Sequence, residues 1–257
     1  MKRILEESNA VTGQTLPVID DLRDRTLFKD IPTKTLRELL LRGHVRHVVL
    51  QQNMQLKLWS RRLEYVYIII SGYLEVRSAS QLLKKGKSLL IAFLGPEQIV
   101  GEISAITTGT SEAFYSAADN CELLQIQTRE LRRVAEKDFR IYRNLTALLI
   151  EKDLQNRRRM EVINMREGEA QIAKTLLNFI EERGMEPGEE SRMRIRGTLR
   201  QSDLADYIGC DRTTVAKRLR RLKVQRVIDY PSPGRYQTQR MIILNLSTLK
   251  RIAHSSS

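Results

Sequence analysis

A chain of 257 residues, 41% hydrophobic and 29% charged, can bury a core, so a disordered chain is excluded and one large or two medium domains are expected. Its formal net charge of +13 favours polyanionic partners. Two distant cysteines and three histidines without ligand spacing exclude a disulfide framework and leave a catalytic metal site without support.

Residues 1–26 are polar and irregular and read as an N-terminal arm. The opening MKRILEESNA lacks the apolar core of a signal peptide. In TKTLRELLLR, residues 33–42, Leu36, Leu39 and Leu40 recur at helical spacing behind a capping candidate, Thr33. From His44 the texture changes to short strand-like runs: HVRHVVL, EYVYIIISGYLEVRS, KSLLIAFLGPEQIV and CELLQIQ. Turn residues punctuate them at Asn53, Gly72, Gly86 and Gly95-Pro96. Such spacing predicts a small barrel or sandwich over residues 27–137. The longest apolar run, Tyr65–Ile70, is too short to cross a bilayer, so no membrane partner and a cytoplasmic location are expected.

Within the β region, residues 101–118 read GEISAITTGTSEAFYSAA. This has the Gly-Glu opening and small-residue run of a nucleotide-phosphate pocket, yet contains no Lys or Arg. His44 and His47, three apart on one expected strand, face opposite sides and do not jointly suit a haem. Cys121 and Cys210 read as packing residues.

The pattern turns helical at Thr128. Residues 138–164 read as one long helix with an apolar seam of Ile141, Leu145 and Leu148, flanked by Tyr142 and Leu149. Such a seam meets either a second copy of itself or its own domain, and the spacing leaves both open. The last domain, 165–257, opens on the amphipathic run AQIAKTLLNFIEER, whose core stripe is expected at Ile172, Leu176, Leu177 and Ile180. GMEPGEESRMR, residues 184–194, is turn-rich.

Residues 200–223, RQSDLADYIGCDRTTVAKRLRRLK, name a target. Leu204, Ala205 and Ile208 form one apolar face, and Val215, Leu219 and Leu222 a second. Gly209-Cys210 lies between them, and Asp211 is placed to cap the second helix. That is a helix-turn-helix. At 100° per residue, Thr213, Lys217 and Arg220 lie opposite the apolar face, and Arg212 sits in the exposed first turn. From Arg212 to Arg226 there is no acidic residue. Apolar side in and donor side out suits a helix reading base edges in the major groove. VIDYPSPGRYQTQRMIILNL then reads as a hairpin wing that offers Arg235 and Arg240 to the sugar-phosphate backbone.

These motifs, in this order, resemble the CRP/FNR transcription regulators from about residue 27 onward. EYVYIIISGYLEV with LLIAFLGPEQIVGEIS is similar to the family's cyclic-nucleotide-binding barrel. AQIAKTLLNFI is similar to the start of its DNA-binding domain, and IGCDRTTVAKRLRRL to its recognition helix. The resemblance implies an α+β fold: an N-terminal β-roll or jelly-roll sensor-like domain, a long dimerisation helix at 138–164, and a C-terminal winged helix-turn-helix. It implies a homodimer on a two-fold-related site of double-stranded DNA, with RNA polymerase as a candidate partner. Base reading falls to Arg212, Thr213 and Lys217, and phosphate contacts to Arg200, Thr214, Arg218, Arg220, Arg221, Arg235 and Arg240. Thr213 stands where the family often has Glu, and Lys217 where it often has Arg, so a different DNA consensus is expected.

The effector cassette, Gly101, Glu102, Ser111 and Glu112, is degenerate. In nucleotide-binding members a cation follows Gly-Glu, and Ser111 or Glu112 stands in its place. Cyclic-nucleotide binding in the usual mode is not expected, unless an arginine such as Arg157 or Arg158 arrives from the long helix. No cofactor, metal or catalytic constellation is expected. Two alternatives to a specific regulator without cyclic AMP control remain: a cyclic-nucleotide-responsive regulator with a non-standard pocket, and a low-specificity architectural DNA-bending protein.

Overall fold

A computed structural model describes residues 4–5, 19–56, 64–78, 90–107, 113–188, 192–197, 199–230 and 241–255. The chain forms two compact units, Met1–Lys152 and Asp153–Ser257. The first contains β1 (Ile4–Leu5), α1 (Ile19–Arg23), α2 (Thr33–Leu40), β2 (Val45–Leu50), β3 (Gln55–Leu56), β4 (Tyr65–Ser71), β5 (Leu74–Ser78), β6 (Leu90–Leu94), β7 (Ile99–Val100), α3 (Glu102–Ile106), β8 (Ala113–Ala117), β9 (Cys121–Gln127), α4 (Thr128–Lys137) and the start of α5 (Arg140–Asn164). The second holds the rest of α5, then α6 (Gly168–Arg183), β10 (Met185–Pro187), β11 (Met193–Ile195), α7 (Gln201–Ile208), α8 (Arg212–Val224), β12 (Ile228–Asp229), β13 (Ile242–Ile243) and α9 (Leu246–Ala253).

Two sheets, ordered β1-β3-β8-β5-β6 and β2-β9-β4-β7, form the β core of the first unit. All pairs are antiparallel except β1 with β3. The alternation along β4 explains the apolar run of the sequence. Tyr67 and Ile69 join Leu74, Val76, Tyr115 and Leu123 in one cluster. Val66 and Ile68 face a second cluster built from Leu124, Ile126 and the helices α1, α2, α4 and α5. Both faces of this strand are covered, so both are apolar.

The helical stretch after Thr128 is broken, not continuous. Asp138 leaves the helical conformation (φ −135°, ψ 94°) at the end of α4. Its carboxylate accepts from the Arg140 backbone N–H at 3.2 Å and from the guanidinium at 2.6 and 2.8 Å. That restarts the helix as α5 and holds the carboxyl below its ordinary pKa. Buried Asn144 donates to the carbonyls of Leu27 and Lys29, which fixes α5 against the segment between α1 and α2. At the start of α2, Thr33 is the first helical residue and Pro32 the cap, one position before the expected cap.

In the second unit the buried stripe of α6 is broader than the sequence spacing indicated. Ile172 and Leu176 are buried as expected, and Phe179 is fully buried as well, while Leu177 and Ile180 are only half-buried. The turn-rich 184–194 segment contains the hairpin β10–β11, whose pairing extends through β13 to β12. Strands of two and three residues are too short to show a period of two, and the shared sheet supplies their stability. Among the described residues no helix is long and apolar enough to cross a membrane.

Candidate nucleic-acid interface and effector cassette

The helix-turn-helix is built as its residues dictate. Leu204, Ala205, Tyr207 and Ile208 are buried on α7. Gly209 ends that helix in the left-handed region (φ 75°), where a side chain would be strained. Asp211 caps α8: its carboxylate accepts from the Thr214 backbone N–H at 2.8 Å and from the Thr214 hydroxyl at 2.5 Å. Both bonds hold the Asp211 carboxyl below its ordinary pKa.

Val215, Leu219 and Leu222 are fully buried under α8. Arg212, Thr213, Lys217 and Arg220 lie on the other side, all four exposed. The side chains of Arg212, Lys217 and Arg220 make no hydrogen bond or ion pair with any described residue. Donors left unengaged on one helix face are available to base edges and phosphates.

The remaining expected contacts divide differently. Thr214 spends its hydroxyl on the cap. Arg200 lies at the start of α7, its backbone N–H bonded to Asp203 and its guanidinium 3.8 Å from the same carboxylate. Arg221 donates to Glu169 at 3.2 Å, and Arg218 to Gln171 of α6 at 2.5 Å. Lys223, which sequence reasoning left without a role, bonds Asp229 at 2.7 Å and the Tyr230 carbonyl at 2.8 Å. It thereby joins the end of α8 to the wing strand. Ile228 and Asp229 pair with Ile243 and Ile242, as a wing requires. Arg235 and Arg240 lie outside the described residues.

In the β domain, Gly101 adopts φ 88° at the cap of α3. Glu102, the first residue of that helix, is 6% exposed and pairs with Lys152 at 2.5 Å. A salt bridge from α5 therefore occupies this carboxylate. Arg132 of α4 donates to the carbonyls of Ser104, Ala105 and Thr107, closing the other end of α3. Ser111 and Glu112 lie outside the described residues. Arg157 and Arg158 bond Asp153 and Glu181 at 2.7 and 2.6 Å. The cation that reaches Glu102 is Lys152, which Gly-Glu spacing gave no means to find.

The expected dimer seam is largely spent inside the first unit. Ile141, Leu145 and Leu148 are 1%, 1% and 7% exposed in its core, with Tyr142 and Leu149 packed beside them. Ile150 and Leu154, four residues apart on α5, are 57% and 48% exposed.

Cys121 donates to the Tyr73 carbonyl at 3.2 Å, and burial pushes its thiol up to about 12. Burial also raises the Cys210 thiol. His44 and His47 meet Gln127 and Asp21. Among the described residues no three His, Cys, Asp or Glu groups gather in a way that would hold a metal ion.

Two family models match. Residues 61–138 match the cyclic nucleotide-binding domain, and residues 170–252 match the Crp-like helix-turn-helix domain. No curated protein sequence matches. A CRP/FNR-family transcriptional regulator of Thermus thermophilus superposes with TM-score 0.64 at 20% identity, covering 82% of this chain and 100% of its own. FixK2 from Bradyrhizobium japonicum gives 0.65 at 17% identity, covering 83% and 99%. The c-di-GMP-responsive global regulator CLP of Xanthomonas campestris gives 0.63 at 17% identity, covering 83% and 99%.

Proposed function

We propose that this chain, which belongs to the CRP/FNR family of transcription regulators, acts in the cytoplasm as a homodimer that reads a two-fold-related DNA site without cyclic AMP control in the usual mode. It is a regulator and not an enzyme. The observation that carries the DNA reading is α8: Arg212, Thr213 and Lys217 on one side, fully buried Val215, Leu219 and Leu222 on the other. Arg212 suits a bidentate contact to guanine, Thr213 a thymine methyl or an adjacent acceptor, and Lys217 a point contact to guanine. Arg220, with Arg235 and Arg240 of the wing, would neutralise phosphates.

Support for independence from cyclic AMP comes from Glu102. Its carboxylate is already engaged by Lys152 at 2.5 Å, so a ribose hydroxyl would have to displace a charge-assisted bond. The dimer contact we assign to the exposed Ile150 and Leu154 side of α5, because the Ile141–Leu145–Leu148 seam is buried. Recruitment of RNA polymerase would follow DNA binding.

The family match to a cyclic nucleotide-binding domain favours one second reading, a nucleotide-responsive regulator with a different pocket. Selection of binding sites from random DNA tests both. The protein alone, and with cyclic AMP, cyclic GMP or cyclic di-GMP, should enrich the same inverted-repeat site to the same extent. Enrichment that appears only with one nucleotide would establish the second reading in its place.

A further inference from the structure

We infer that Arg218 and Gln171 are positioning residues, which set the recognition helix at its working angle and make no contact with DNA. This rests on the DNA-reading function proposed above and reassigns one cation of the basic run. The Arg218 guanidinium donates to the Gln171 side-chain carbonyl at 2.5 Å. Gln171 is 6% exposed, and its amide nitrogen donates onward to the carbonyl of Val162 at 2.9 Å. An unbroken chain of hydrogen bonds thus runs from α8 through α6 to the last turns of α5. The Gln171 amide is used at both ends, and turning it over would break both bonds.

Two further features support the assignment. Gly168, the first residue of α6, leaves room for the guanidinium: a Cβ there would stand 2.3 Å from Arg218 Nε and 2.7 Å from its Cζ. The same stretch of α5 also holds the first helix of the motif. Arg159 donates to the Tyr207 carbonyl at 3.0 Å and lies 5.0 Å over the Tyr207 ring. Both helices of the helix-turn-helix are therefore tied to α5 by directional bonds. Apolar packing under Val215, Leu219 and Leu222 fixes depth but tolerates rotation. A hydrogen bond from a planar, five-donor group restricts rotation, and base reading by Arg212, Thr213 and Lys217 depends on it.

The test measures affinity for the selected site and for random DNA across a salt series. It compares the wild type with Arg218→Leu, Gln171→Leu, Gly168→Ala and the double variant Arg218→Leu/Gln171→Leu. Positioning predicts that each single variant lowers the specific-to-random ratio about tenfold. Random-DNA affinity and the salt slope should stay unchanged, and the double variant should be no worse than the weaker single. Gly168→Ala keeps every cation and favours the helix, so a folding defect, checked by thermal unfolding, would not account for its effect. It also carries the test if Gln171→Leu fails to fold. Should Arg218→Leu weaken both DNAs alike and lower the salt slope by about one, while the other single variants are silent, Arg218 is a phosphate contact. The inference then falls and the function stands. A wild type without discrimination would overturn the function and this inference with it.

Discussion

Glu102 and Lys152 set the first test at the level of single residues. Their side chains are 8% and 25% exposed and their charged atoms 2.5 Å apart. Removing only the lysine strands a buried carboxylate, so Lys152→Met should cost roughly 2–4 kcal/mol in urea unfolding. Adding Glu102→Gln should return much of that loss. A pair that merely rested on the surface would give no measurable cost. Arg212→Ala should relax the selected consensus at one base pair of each half-site and leave the other positions intact, read by the same selection. Glu182 offers a pH test. Burial raises its carboxyl to about 7 against an ordinary 4.5. Folding therefore favours its protonated form: that contribution is complete below about pH 4.5 and is lost as pH rises through about 7. Glu182→Gln should raise the midpoint of thermal unfolding at pH 8 and leave it nearly unchanged at pH 4.5. An equal effect at both values would remove burial as the cause.

Among elements, α5 carries the clearest prediction. Ile150→Glu with Leu154→Glu should leave the first unit folded, because neither side chain belongs to its core, yet convert the proposed dimer to monomer in sedimentation equilibrium. Specific DNA affinity should fall at least tenfold with the loss of the second half-site. A double variant that remains dimeric would place the contact elsewhere. The same helix shows where sequence patterns reach their limit. Strand β9 and the two helices of the helix-turn-helix were legible, since a period of two, a period of 3.6 and an Asp cap are local signals. The seam of α5 was legible as apolar, but spacing carries no information on whether its cover is a partner or the chain's own barrel. The long helix was expected to begin at residue 138, but periodicity did not show the backbone leaving the helical conformation there, because the bonds of Asp138 to Arg140 depend on a local turn. Thr214, Arg218 and Arg221 were expected as phosphate contacts. Asp211, Gln171 and Glu169, two of them from another helix, take hydrogen bonds from them, although Arg221 stays largely exposed.

At the scale of the whole chain, a net charge of +13 states a preference for polyanions but not for any sequence. Non-specific attraction comes from that charge and fades with salt. Specificity has to come from the few donors that α8 presents, and their reach depends on the packing beneath them. An architectural DNA-bending protein would use the first property alone. Competition between the selected site and random DNA at physiological salt therefore tests the central claim most directly. A regulator that reads bases through Arg212, Thr213 and Lys217 should prefer its site by about a thousandfold or more. A ratio near one would contradict it.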